Sequence, residues 1–111
     1  MQGTRLPDAA MAEPGPGWDA WDRGHCAPGS YMKVTTRTGN VMWFITDPSG
    51  APGTIVKKHH TVEEHDDGTI TVSPSLDHQR AGYDHESFAA MIPADCFGWR
   101  GWLEHGVWRS V

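Results

Sequence analysis

The chain has 111 residues, which suits one domain with a modest core. Nine Lys and Arg face fourteen Asp and Glu, a net charge of -5 without any basic stripe, so a phosphate backbone is not the expected partner. The longest apolar run, Val41-Met42-Trp43-Phe44-Ile45, is far shorter than the roughly 20 residues of a membrane span. No signal-peptide pattern opens the chain either, so neither a membrane partner nor export is expected.

Residues 1–17, MQGTRLPDAAMAEPGPG, hold three prolines and three glycines and little large apolar surface. Such a segment buries too little to offset its ordering entropy, which predicts a flexible N-terminal arm ahead of a single β-rich domain over 18–111. Trp18 to Trp21 fits one helical turn, closed in by Pro16-Gly17 before and Gly24 after.

From Tyr31 the pattern turns to strand. Tyr31 to Arg37 is rich in Val, Thr and Tyr. Gly39-Asn40 reads as a Gly-first hairpin turn, and Val41 to Thr46 as a central strand apolar on both faces. Asp47 to Gly53 reads as a loop, and Thr54 to Val56 as a short strand.

The clearest hairpin joins His60–His65 to Thr69–Ser73 through Asp66-Asp67-Gly68. A three-residue loop with Gly68 left-handed sets Val62 opposite Val72 and gathers Val62, Ile70 and Val72 on one face. Glu63, His65, Thr69, Thr71 and Ser73 then share the other. A two-residue turn mixes the faces, so the first register is preferred.

Pro74 lacks a ladder donor and is expected to end that strand, with a polar loop from Ser75 to Gly82. Asp84 caps a short helix to about Met91, stopped by Pro93. Phe97 to Glu104 and Val107 to Val111 read as strands joined by a His105-Gly106 turn. That turn pairs Leu103 with Trp108 on one face, beside Trp99, and Trp102 with Arg109 on the other. The expected fold is all-β, an antiparallel sandwich or small barrel with one short helix.

Of six tryptophans, most are expected in the core. Cys26 and Cys96 form no C-x-x-C and read as thiols unless they meet in space. The histidines show neither H-E-x-x-H nor another tight metal spacing. His60 and His65 fall on opposite strand faces, which leaves only a loop-built set from His60, His78, His85 and Cys96 as a weak metal candidate. No G-x-S-x-G elbow, carboxylate dyad or phosphate-cradling glycine loop is present, and no cofactor is expected. The candidate partner- or ligand-binding residues are therefore Trp102 with Arg100 and Arg109, and His65 with Glu63 on the neighbouring polar face. Trp and Arg are the residue types favoured at recognition hot spots.

Two stretches, His60 to Leu76 and Gly98 to Trp108, carry a DGTITVSPS strand followed by a GW-x-G-x-L-x-x-G-x-W hairpin. Together they resemble small uncharacterised proteins encoded by phages and prophages of actinobacteria. The resemblance covers about a quarter of the chain and brings no established activity. Where such relatives have His after the first Trp of the hairpin, Arg100 stands here, which removes one metal-ligand candidate. The resemblance implies a phage-encoded accessory binding protein, a minor virion component or a modulator of a host protein. It would sit in the virion or the host cytoplasm, with a protein partner and with self-association open. The alternative is a small-ligand or carbohydrate-binding β domain using Trp102, His65 and nearby acids. A third reading is a metal-dependent hydrolase.

Overall fold

Five consecutive apolar residues in one strand can be accommodated only where both faces of a sheet are covered. That is the position of Val41–Thr46 in the computed structural model, which describes residues 1–12, 21, 26–55, 60–77 and 98–111. The strands among the described residues are β1 Thr4–Arg5, β2 Ala9–Ala10, β3 Ser30–Thr35, β4 Val41–Thr46, β5 Pro52–Ile55, β6 Thr61–Glu64, β7 Ile70–Asp77, β8 Arg100–Glu104 and β9 Val107–Ser110. They form two sheets. The N sheet runs β1-β3-β4-β5, with β2 also on β3, and the C sheet runs β6-β7-β8-β9. This is the expected all-β architecture. The expected turn at Trp18–Trp21, apart from Trp21 itself, and the expected helix at 84–91 lie outside the described residues.

The two sheets pack face to face. Tyr31, Trp43, Ile45 and Ile55 of the N sheet meet Ile70, Val72, Leu76, Leu103 and Trp108 of the C sheet. Leu103 and Ile70 are fully buried, and the rest of this layer is nearly so. A second apolar layer covers the other face of the N sheet, where Met32, Val34 and Phe44 lie against Trp21. The Trp21 indole stacks on Phe44 at 3.9 Å and donates its Nε1–H to the Ile45 carbonyl at 3.0 Å. Odd positions of β4 thus face the C sheet and even positions face the Trp21 layer.

The first twelve residues differ from the expected flexible arm. Met1 and Trp108 exchange backbone bonds of 3.0 and 2.8 Å, Gln2 bridges Val107, and the Gly3 N–H donates to the Gly106 carbonyl at 2.7 Å. The segment then crosses to the N sheet, where β1 and β2 run parallel to β3. Composition undervalued this segment because its docking relies on backbone groups. Without it the outer edges of β9 and β3 would present unpaired N–H and C=O groups. Leu6, Ala9 and Met11 add apolar contact over Met32, Val34 and Phe44. Positions 13–17 of the expected arm lie outside the described residues.

The preferred hairpin register is the one present. Val62 pairs with Val72 and Glu64 with Ile70, the His65 N–H donates to the Thr69 carbonyl, and Gly68 has φ 86°. The β8–β9 pairing also matches expectation, with Leu103 opposite Trp108 and Trp102 opposite Arg109. His105 and Gly106 both have positive φ, as a tight turn matching strand twist requires.

Three local expectations are corrected. The β3–β4 turn is a three-residue loop, Arg37-Thr38-Gly39, in which the Gly39 N–H donates to the Thr36 carbonyl and Gly39 closes the turn rather than opening it. The strand after the Asp47 turn starts at Pro52, because the Asp47 carboxylate draws the turn tight by accepting from Ser49 and Ala51. Pro74 does not end β7. The strand continues to Asp77, because a register shift between Val72 and Leu76 puts the proline where the β8 ladder asks for no donor. Residues 75–77 of the expected polar loop are therefore strand, and Leu76 is core.

Candidate functional site

Alternation along β6–β9 sends one set of side chains into the core and the other onto the outer face of the C sheet. Trp102 and Arg109 lie opposite each other on that outer face. The Arg109 guanidinium carbon sits 5.7 Å from the Trp102 ring centroid, and its Nη2 donates to Glu104 Oε1. An exposed cation–π contact of this kind contributes about 0.5–1 kcal/mol. The indole is therefore held on its β9 side by a neighbour that is itself held.

On its β7 side the surroundings differ. Val72 pairs with Leu103 and Leu76 with Gly101, so β7 spends four residues where β8 spends two. Three residues, Ser73-Pro74-Ser75, thus stand against Trp102 alone, and a groove of about 480 Å³ opens beside them. Residues 71–75 form one wall, and Trp102, Glu104 and His105 the other.

At one end of the groove the β6–β7 and β8–β9 turns meet. The His65 and His105 rings stack at 3.8 Å with planes 3° apart. The Thr71 hydroxyl joins them, 2.7 Å from His65 Nε2 and accepting the His105 backbone N–H at 2.9 Å. A carboxylate oxygen flanks each ring at 4.0 Å: Glu63 beside His65 Nδ1, and Asp67 beside His105 Nε2. The Asp67 carboxyl is held below its ordinary range by bonds from the Thr69 hydroxyl and N–H, with the two imidazoles adding smaller contributions. Ring-nitrogen lone pairs lie in the ring planes, so two rings stacked in parallel do not aim at one metal ion. Among the described residues no group of three His, Cys, Asp or Glu side chains stands ready to hold a metal. His60 has its Nε2 3.2 Å from the Ser75 carbonyl, while His78, His85 and Cys96 lie outside the described residues. Cys26 is half-buried, and that burial pushes its thiol pKa up, which disfavours the reactive thiolate.

The sequence candidates fall into two clusters on this face. Trp102 sits with Arg109, and His65 with Glu63. Arg100 pairs in register with Asp77 at the far end of β8, away from the histidines. Sequence reasoning missed Glu104, His105 and Thr71. Glu104 was within reach of it, since it lies two residues from Trp102 and shares its face. The role of His105 was not, since the hairpin turns at residues 66–68 and 105–106 have to meet before its ring finds His65.

No family model matches this chain, and searches of curated proteins and of solved structures also give no match.

Proposed function

We propose that this chain is a phage-encoded, non-enzymatic accessory binding protein, either a minor virion component or a modulator of a host protein, and that it makes contact through the outer face of the C sheet. The observation that carries the reading is Trp102, held between Arg109 and an open groove on the outer face of the C sheet. A large ring fixed in place beside Arg suits an interface anchor, because little side-chain entropy is left to lose on contact. Phage origin is supported by the resemblance of the His60–Leu76 and Gly98–Trp108 stretches.

The test is mass spectrometry of purified virions together with affinity purification from the host. The reading expects the chain at fixed stoichiometry in particles or on one host protein. It expects Trp102→Ala to release it while the melting temperature stays within a few degrees. Retention of the partner by Trp102→Ala would overturn the reading. A second reading, a small-ligand or carbohydrate-binding domain, is favoured specifically by the concavity beside Trp102.

A further inference from the structure

We infer that the groove between the β7 bulge and Trp102 is a subsite for one neutral sugar ring of a glycan. The inference rests on the second reading above and narrows it to a chemical class. Three observations carry it.

The first is shape. The groove exists because β7 leaves β8 between Val72 and Leu76, so a concave wall of backbone and hydroxyl groups faces the side of Trp102 that Arg109 does not take. A volume near 480 Å³ lies within the range of small-ligand sites, roughly 300–1,000 Å³.

The second is the polar lining. Ser73 and Ser75 supply hydroxyls that both donate and accept, Glu104 supplies acceptors, and His105 supplies a ring nitrogen. Such a mixed rim around an apolar ring suits a ligand whose hydroxyls do both and whose C–H face is apolar. The ring's negative face attracts weakly positive C–H groups.

The third is charge, which separates this class from two rivals. An anionic ligand would meet Glu104 in the lining. A guanidinium or ammonium would find that the indole and Glu104 already serve Arg109, so the second cation would face the first across one ring. A neutral ring meets neither cost.

The experiment is a titration of the intact chain followed by Trp fluorescence and amide chemical shifts. The probes are cellobiose, N,N′-diacetylchitobiose, lactose and maltose, with glucuronic acid and N-acetyl-arginine amide as charged comparators. The expected result is that at least one neutral disaccharide shifts the amides of residues 71–73, 75 and 102–105 together with the Trp102 indole N–H. Trp102→Ala should weaken that binding about tenfold or more, with Trp102→Phe intermediate. If only a charged comparator shifts these signals, or if no disaccharide does, the inference is overturned. Should Trp102→Ala still release a protein partner in that event, the sugar subsite fails and the contact-face reading stands. If a disaccharide binds while Trp102→Ala keeps its protein partner, the contact-face reading fails and the subsite stands.

Discussion

Trp108 links the C sheet to the start of β3, and replacing it with Phe gives a sharp test of that role. The indole is 2 % exposed, crosses edge-on to Trp99 at 5.4 Å, and donates its Nε1–H to the Gly29 carbonyl at 2.9 Å. That bond ties the C sheet to the start of β3. The Gly3 Cα lies so close that an added Cβ would stand 3.0 Å from Nε1. Phe keeps the apolar ring but loses the donor and the volume of the second ring. The lost bond is worth about 1 kcal/mol, and the Gly29 carbonyl keeps the Thr4 N–H as a partner. The lost volume, close to two methylenes, adds about 1.5 kcal/mol. Trp108→Phe is therefore expected to cost about 2.5 kcal/mol, which for a chain of this size lowers Tm by about 10 °C. Trp108→Ala should cost about 5 kcal/mol, a large share of the 5–15 kcal/mol typical of a domain. Urea unfolding followed by far-UV circular dichroism measures both, with Trp102→Phe as the outer-face control expected to cost under about 1 kcal/mol. A Trp108→Phe cost no larger than that of the control would refute the claim that Trp108 joins the two sheets.

Further outcomes follow from the same packing. Gly101→Ala should destabilise by about 3 kcal/mol, since a Cβ there would sit 2.0 Å from the Arg109 carbonyl oxygen and 2.7 Å from the Trp99 ring; a melting temperature equal to the parent's would contradict this. Asp47→Ala should cost about 2–3 kcal/mol by leaving the Ser49 and Ala51 N–H groups without their acceptor, whereas Asp47→Asn retains an acceptor oxygen and should lose less; calorimetry of the pair decides. Glu64 accepts from Lys33 at 2.9 Å and from Arg5 at 2.8 Å, and these bonds hold its carboxyl below the ordinary value of 4.5. A depressed carboxyl pKa adds stability above the unfolded value that disappears as pH falls through the folded one. The parent should therefore exceed Glu64→Gln in stability at pH 7 and lose that lead below about pH 4.5; a pH-independent gap between the two melting curves would show that the ion cluster is not its source.

Much of the β architecture is legible in the sequence. The Asp66-Asp67-Gly68 loop and the His105-Gly106 turn each fix a register, and a register fixes which side chains share a face. Val62 opposite Val72, Leu103 opposite Trp108 and Trp102 opposite Arg109 follow from local turn geometry and period-two alternation alone. The continuous apolar run of β4 likewise announced a strand covered on both sides. Each is a short-range property, decided by residues within a few positions of one another.

Other features depend on groups distant in sequence. Docking of residues 1–12 depends on two sheet edges that exist only once β3 and β9 are in place, and backbone hydrogen bonding leaves no mark in composition. Continuation of β7 past Pro74 depends on where β8 withholds its acceptors. The groove beside Trp102 depends on the register shift between β7 and β8, and the stacking of His65 on His105 depends on two hairpin turns meeting. Sequence determined the faces of the strands, because alternation and turn type act over a few residues. Tertiary structure decided which edges are sealed and where the outer face becomes concave, because those are set by the fit between strands far apart in the chain.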